Sequence, residues 1–340
     1  MTIKPIRQNS STNRNSIDPS AHPLSPANPA VHDATEPLPA KPPAKKLWMA
    51  ALKLPMYSVA IMPIALGTAI AYFENQSLRW DVFITFLAAA ILILIWENLS
   101  NDVFDSETGI DQNKHHSLVN LTSNKALIFA IANVCLILGI LGVLAIAWQQ
   151  QDATVLALIV LCCGLGYVYQ GPPFRLGYRG LGEILCFFAF GPLGVAAAYY
   201  SQSQSWSIAS LGASVILGIS TSLILFCSHF HQVADDAAAG KRSPIVRLGT
   251  RRAAQLLPWL CGSLYALTVS LVIARLFPAW TLLIFASLPP ALKLCRHVLA
   301  NHDKPARVSN CKFIAVSLHF WSSLLLCAGF VLSGLGSFGF

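Results

Sequence analysis

The chain has 340 residues, of which 55% are hydrophobic and only 11% are charged, and its formal net charge is +8. Soluble domains carry about 25% charged residues, so this composition excludes an ordinary soluble protein and indicates a membrane protein with several spans. A basic chain could also bind nucleic acid. However, the placement of the basic residues fits membrane topology instead, so we expect no nucleic-acid partner and a lipid bilayer around the protein.

Two regions follow from composition. Residues 1–45 are rich in Ser, Pro, Asn and Ala, which predicts a disordered N-terminal tail that cannot bury a core. Residues 46–340 are predicted to form one all-α integral membrane domain of nine transmembrane helices, because a hydrocarbon core about 30 Å thick needs about 20 apolar residues per helix. The predicted spans are 47–73, 80–100, 125–148, 153–170, 181–200, 208–230, 254–275, 279–298 and 312–337.

The distribution of basic residues predicts how these spans are oriented in the membrane. Nine crossings place the termini on opposite sides, and all of the Lys and Arg residues except Arg79 and Arg275 fall on the side of the N-terminus. The positive-inside rule therefore predicts a cytoplasmic N-terminus. The acidic stretches that follow spans 2 and 6 lie on the same side. We therefore expect the chemistry at the cytoplasmic mouth of the bundle, under a cap of loops and short helices.

The first acidic stretch, ENLSNDVFDSETGIDQNKHHSLVN, covers residues 97–120 and follows span 2 directly. Two amides and two carboxylates in this stretch are spaced three or four residues apart, so on a helix they share one face. They are Asn98, Asn101, Asp102 and Asp105. Mg²⁺ prefers a small number of carboxylate ligands together with water and phosphate oxygens. Gly109 is expected to break the helix, so that Asp111 and Lys114 fold back over the site. The alternative is a solvated acidic helix end, which would oppose the helix dipole.

A second polar block, SHFHQVADDAAAGKRSPIVRLGT, follows span 6. It combines potential metal ligands with cations that could bind phosphate: Gln232, Asp235, Asp236, Lys241, Arg242 and Arg247. His229 and His231 could bind zinc, but two histidines only two residues apart are weak support for such a site. The basic residues could also be simple positive-inside anchors.

The loop after span 4 supplies aromatic and basic side chains around a Gly-Pro-Pro turn. Arg175 and Tyr178 suit a flat, anionic, aromatic substrate at the membrane mouth. Equally, Tyr and Arg are ordinary residues of the membrane interface, so this loop alone leaves both interpretations open.

Two acid-rich loops after spans 2 and 6 of a nine-helix bundle resemble the UbiA superfamily of intramembrane prenyltransferases. Within it, NDVFDSETGID resembles the NDxxDxxxGxD motif of the 1,4-dihydroxy-2-naphthoate prenyltransferases. The block HFHQVADDAAAGKRSPIVRLGT is more similar to the branch that attaches phytyl in cyanobacteria and plastids, on the route to phylloquinone. The resemblance covers residues 47–338.

The resemblance implies a Mg²⁺-dependent transfer of phytyl from phytyl diphosphate to an aromatic naphthoate, with loss of CO₂. It implies two Mg²⁺ ions bridged by the diphosphate, in the plasma or thylakoid membrane of a phototroph. The implied metal ligands are Asn101, Asp102, Asp105, Asp111, Gln232, Asp235 and Asp236, with Asn98 as a further ligand or substrate contact. Lys114, Lys241, Arg242 and Arg247 would hold the diphosphate, and Asp102, Asp105, Asp236 and Lys241 would be the catalytic groups.

One position departs from the superfamily pattern. A second DxxxD motif is usual, and Gln232 stands where its first aspartate is expected. An amide oxygen can bind Mg²⁺ but brings no charge, so Asp235 could compensate, and the choice between Asp235 and Asp236 stays open.

Other functions are also compatible with parts of the sequence. The same chemistry could act on homogentisate, chlorophyllide or 4-hydroxybenzoate. A cation transporter would also need acids in a membrane, but it predicts them along several spans, whereas the span interiors here are nearly free of acids. The phosphoalcohol transferases use Asp clusters too, but their DGxxAR signature is absent from the sequence.

Overall fold

The computed structural model describes residues 53–108 and 117–336. These ranges lie within one compact unit, Pro43–Phe340, and contain helices and connecting turns without a β-strand. The predicted tail, residues 1–45, and the predictions for Gly109, Asp111 and Lys114 lie outside the described residues.

Eight helices within the described ranges are long and apolar enough to cross a membrane. They are α1 (Pro55–Asn75), α2 (Trp80–Thr108), α4 (Lys125–Gln150), α6 (Gly182–Ser203), α7 (Ile208–Ser228), α10 (Thr250–Ile273), α11 (Ala279–Asn301) and α12 (Pro305–Gly336). The shorter helices are α3 (Leu118–Thr122), α5 (Thr154–Gln170), α8 (Val233–Ala238) and α9 (Pro244–Leu248). Each long helix overlaps a predicted span, which confirms an all-α integral membrane bundle.

The fourth predicted span, 153–170, corresponds to α5. This helix is apolar but has only 17 residues, so it falls below the length of the eight long helices. At a rise of 1.5 Å per residue it is about 26 Å long, which is at the lower limit for a bilayer crossing.

Polar side chains close the turns where several helices begin. Asn124 precedes α4 and accepts a hydrogen bond from the backbone N–H of Leu127 at 3.0 Å. Ser207 precedes α7 and accepts one from the N–H of Ser210 at 3.1 Å. Each satisfies a backbone donor that has no partner within its own helix, which fixes where the helix starts.

The bundle has two polar ends. At one end, the far end, Gln149 donates to Asp81 at 2.7 Å and Tyr200 donates to Asp152 at 2.7 Å. At the other end, the site end, the last turn of α2 meets the loop after α5, and this loop in turn meets the segment that contains the short helices α8 and α9. The acidic stretches after the second and sixth predicted spans therefore lie at one end of the bundle.

Candidate active site

Asp102 lies on α2, which continues beyond the predicted end at residue 100 as far as Thr108. Its side chain is 1% exposed, and both carboxylate oxygens have partners. Lys53 Nζ is 3.1 Å from Oδ1, and the backbone N–H of Leu118 donates to Oδ2 at 3.1 Å. A buried carboxylate is costly without compensation, and these two contacts supply it.

Asp105 lies one turn further along α2 and turns toward α5. Its Oδ1 accepts a hydrogen bond from Gln170 Nε2 at 2.6 Å and a longer one, 3.4 Å, from the hydroxyl of Tyr178. Among the described residues, the two aspartates therefore contact different neighbours. Asn98 and Asn101 lie half-buried on the preceding turns of the same helix.

Asp236 is the buried member of the second acidic pair, with 1% exposure, whereas Asp235 is exposed and Gln232 is half-buried. His229 Nδ1 is 2.8 Å from Oδ2 of Asp236, and Lys241 Nζ is 3.6 Å from Oδ1. Burial acts to raise the pKa of Asp236, but the hydrogen bond with His229 and the charge of Lys241 outweigh it and hold this pKa below its ordinary value.

Tyr178 connects the two acidic groups. Its hydroxyl hydrogen-bonds with Thr108 at 2.6 Å and reaches Asp105, while Lys241 Nζ lies 5.8 Å from the centre of its ring. The Tyr178 carbonyl accepts from the N–H of Arg242 at 2.7 Å. Burial raises the pKa of Tyr178 to about 12, so its hydroxyl stays protonated at neutral pH.

Gly180 allows the same loop to approach α9. Its φ of +77° is in the left-handed region, and a Cβ atom there would lie 2.2 Å from the carbonyl oxygen of Arg242. Glycine is therefore required where the loop crosses the segment that follows Asp236.

The predicted substrate-binding arginines have different surroundings. Arg175 forms an ion pair with Glu107 at 3.1 Å, and Glu107 also contacts Lys125 at 2.6 Å. Arg247 donates a hydrogen bond to the carbonyl of Arg179. Arg242 has an exposed side chain. Of the predicted cations in the described ranges, Lys241 thus has the closest contact with a predicted metal ligand.

Three further residues lie in this region, although no sequence motif predicts a site role for them: Lys53, Gln170 and Glu183. Glu183 Oε1 is 3.6 Å from His229 Nε2 and is buried without a hydrogen-bond partner among the described residues. The sequence does contain a feature that could have indicated Lys53 and Glu183. Lys53 is a cation at the start of a span on the acidic side, and Glu183 is an acid at the start of an apolar run.

The donor groups of the site fit some metal ions better than others. Within residues 53–108 and 117–336, no group of three or more His, Cys, Asp and Glu side chains is gathered closely enough to bind an ion alone. Separate buried carboxylates beside amides suit Mg²⁺, which keeps several waters and takes oxygens from substrate phosphates. The residues present therefore fit Mg²⁺ better than zinc.

Fold and site together define an integral membrane protein with carboxylates and cations gathered at one end of an apolar bundle. The model of the UbiA prenyltransferase family matches residues 60–333, which is most of the chain. The chain belongs to this family, and it is an enzyme of the prenyltransferase class.

Two relatives are similar over most of the chain. The 2-carboxy-1,4-naphthoquinone phytyltransferase of Synechocystis is 58% identical over 295 residues, covering 87% of this chain and 96% of the relative. The chloroplastic 2-carboxy-1,4-naphthoquinone phytyltransferase of Arabidopsis thaliana is 41% identical, covering 86% of this chain and 78% of the relative. The fold is similar to that of a UbiA homologue from Archaeoglobus fulgidus, with a TM-score of 0.50 and 15% identity over 82% of this chain and 99% of that one.

Proposed function

We propose that the protein transfers a phytyl group from phytyl diphosphate to 1,4-dihydroxy-2-naphthoate, with loss of the ring carboxylate as CO₂. The observation that carries this proposal is that Tyr178 hydrogen-bonds to Asp105 while its ring faces Lys241, the neighbour of Asp236, so that both acidic groups border one polar region that could hold a diphosphate. The relatives named above are phytyltransferases of a carboxylated naphthoquinone, and this supports phytyl and a naphthoate as the substrate pair.

We also propose that the activity depends on Mg²⁺. Asp102 and Asp105, with Asn98 or Asn101, would hold one ion, and Asp236, with Gln232 or Asp235, would hold a second. The Archaeoglobus homologue was solved with GPP and Mg²⁺, which supports the same ion here. When bound, Mg²⁺ would neutralise the charge that develops on the leaving diphosphate.

The protein's own residues would prepare the reaction. Lys241, 8% exposed and close to Asp236, would bind phosphate oxygens and stabilise the leaving group. As the allylic C–O bond breaks, its electron pair stays with diphosphate. The electron-rich ring carbon that bears the carboxylate then bonds to the prenyl carbon, and the C–CO₂ bond breaks to restore aromaticity. The surrounding apolar helices would exclude water from the prenyl cation.

The proposed orientation places the site end and the N-terminus on the cytoplasmic side. It rests on the distribution of Lys and Arg, because basic residues concentrate in cytoplasmic loops. We further propose that residues 1–45 are a tail and that catalysis belongs to residues 46–340.

Mass spectrometry of products from the purified protein tests the substrate pair. We expect phytyl diphosphate, Mg²⁺ and 1,4-dihydroxy-2-naphthoate to give a product whose mass equals both substrates less diphosphate and CO₂. Parallel reactions with 2-carboxy-1,4-naphthoquinone, homogentisate, chlorophyllide and 4-hydroxybenzoate, and with prenyl diphosphates of other lengths, would give less product. Preferential use of another acceptor, or a product that retains the carboxylate, would contradict the proposal.

The metal assignment is tested by substitution. We expect Asp102→Ala and Asp236→Ala each to lower kcat/KM by about 100-fold or more, the scale observed when one contact that stabilises developing charge is removed. Asp81→Ala, at the far end, is the control and should leave kcat/KM unchanged. Normal turnover by either site variant at normal expression would refute the assignment.

A further inference from the structure

His229 has no role in the proposed reaction, although its imidazole is one of the most buried polar groups at the site end. It is 3% exposed and lies directly after α7, seven residues before Asp236. A histidine in this position could be a simple core residue. Its contacts, however, are with two carboxylates and not with the hydroxyls or carbonyls that a core histidine usually finds.

The contact with Asp236 has a defined direction. The Asp236 carboxylate can only accept, so His229 Nδ1 carries the proton and donates it to Oδ2 at 2.8 Å. Lys241 lies on the side of the other oxygen, 3.6 Å from Oδ1. Hydrogen bonding of one carboxylate oxygen fixes the direction of the other, which is how second-sphere groups orient metal ligands.

The opposite edge of the ring faces a second carboxylate. Nε2 faces Glu183 Oε1 at 3.6 Å, and this oxygen is buried without a hydrogen-bond partner among the described residues. Glu183 belongs to the first turn of α6, so His229 lies between α6 and α8. A ring that is buried between these two elements and hydrogen-bonded to Asp236 has little freedom to rotate away from it.

We infer that His229 is a positioning residue, which fixes Asp236 so that its Oδ1 oxygen can bind a divalent ion together with the substrate diphosphate. The inference rests on the proposed function. It also accounts for Gln232, because a pre-oriented Asp236 offsets the absence of a second charged ligand at that position.

Binding of Mn²⁺ provides a test that does not depend on turnover, because carboxylate and water ligands suit Mn²⁺ as they do Mg²⁺. The purified protein in detergent would be titrated with Mn²⁺ in the presence of phytyl diphosphate, and free Mn²⁺ would be measured by electron paramagnetic resonance. Two matched variants are informative. In asparagine the amide nitrogen is bonded to Cγ, as Nδ1 is in histidine. In glutamine the amide nitrogen is one bond further from the backbone.

We expect His229→Gln to weaken Mn²⁺ binding by about 10- to 100-fold, the usual effect of losing a group that orients a metal ligand. His229→Asn should stay within about threefold of the wild type, since it keeps the donor to Asp236. His319→Leu is the control. It removes another buried imidazole, whose Nδ1 contacts Ser220 at 2.9 Å, and should leave Mn²⁺ binding unchanged.

Equal Mn²⁺ affinity for His229→Gln and the wild type would overturn the inference. So would equal weakening by Asn and Gln, because the donor at Nδ1 would then be irrelevant. A wild-type protein that forms the phytylated product but binds no Mn²⁺ would overturn the metal site and leave the substrate pair intact. Should His229→Gln fail to fold, His229→Ala replaces it, since it also lacks the donor, and Mn²⁺ affinity equal to that of His229→Asn would then overturn the inference.

Discussion

Two lysines at the site end contact buried aspartates. Lys53 is 3.1 Å from Asp102 and Lys241 is 3.6 Å from Asp236. A buried carboxylate needs a counter-charge, and an ammonium group on a flexible stem can provide it and then move to a phosphate oxygen. We therefore expect the same lysines to stabilise the protein without substrate and to bind the diphosphate of the proposed substrate.

The Tyr178 hydroxyl offers a separate test at the residue scale. Tyr178→Phe removes the contacts with Thr108 and Asp105 but keeps the ring beneath Lys241. Loss of a hydrogen bond to a charged group costs about 1.5–3 kcal/mol. Because the contact with Asp105 is long, we expect the lower end of this range, which corresponds to about a tenfold lower kcat/KM for the prenyl diphosphate.

Tyr200→Phe is the control for that measurement. It removes a tyrosine hydroxyl bonded to a carboxylate, Asp152, at the far end of the bundle. Its kcat/KM should equal that of the wild type. A similar loss in both variants would mean that the effect is on the fold and not on the site.

The pKa of Asp236 gives an expectation for stability against pH. This pKa lies below its ordinary value because the hydrogen bond with His229 and the charge of Lys241 outweigh burial. A depressed folded-state pKa contributes stability that is present above the unfolded pKa and is lost as pH falls through the folded value. Without Mg²⁺, a difference in Tm between wild type and Asp236→Asn should persist from pH 8 to pH 5.

That difference should shrink only below the ordinary aspartate pKa of about 3.9. Thermal unfolding in EDTA-containing detergent buffer, followed by intrinsic tryptophan fluorescence, measures it. A difference that already disappears between pH 7 and pH 6 would show that the folded-state pKa is raised instead, and would contradict the contacts described for Asp236.

At the scale of elements, close helix packing depends on small residues. Gly67 of α1 lies against α6, where a Cβ atom would come within 2.5 Å of the Val195 carbonyl oxygen and 2.6 Å of Ala198 Cβ. Helices in membranes associate through such close approach, because burial of apolar surface gives little advantage in lipid.

We therefore expect Gly67→Ala to lower the free energy of unfolding by about 1–3 kcal/mol, the usual cost of overpacking a filled interface. Gly164→Ala, in α5, is the matched control, because a Cβ atom there has nothing within 4 Å. It should leave stability unchanged or slightly higher, since alanine favours helix. Tm values of the two variants in detergent measure the difference, and equal Tm values would contradict the packing.

The elements that sequence predicts and those that it misses differ in a physical way. Hydropathy predicted the span positions because lipid forces each apolar run into a helix. It could not predict that Lys53 meets Asp102, or that Gln170 meets Asp105. These contacts join residues far apart in the chain, and they depend on which face of each helix turns inward. In a membrane the inward and outward faces are both apolar, so periodicity carries little information about that choice.

The sequence motifs predicted more of the site residues than the hydropathy of the spans did. Asp236 and Lys241 lie together because they are five residues apart in one block, and the structure adds which of Asp235 and Asp236 is buried. Tyr178 was predicted as an aromatic substrate contact. Its role in connecting the two acidic groups depends on the path of the loop through Gly180, which no short motif specifies.

At the scale of the whole molecule, the number of crossings depends on α5. Before this helix, Asp152 contacts Tyr200 at the far end, and at its last residue Gln170 contacts Asp105 at the site end. A helix that joins the two ends must pass through the bundle like its longer neighbours. We therefore expect nine crossings, with the loops on either side of α5 facing opposite compartments.

Cysteine labelling tests this expectation. Ala153→Cys precedes α5, Phe174→Cys follows it, and both positions are exposed. Ser205→Cys, in the exposed far-end loop between α6 and α7, is the reference. An impermeant maleimide added to intact cells should label positions 153 and 205 but not position 174. Labelling of inside-out vesicles should show the reverse pattern. The wild type gives the background labelling of the nine native cysteines. If positions 153 and 174 were labelled from the same side, α5 would not cross the membrane and the two termini would share a compartment. The distribution of Lys and Arg would then no longer support the cytoplasmic assignment of the site end.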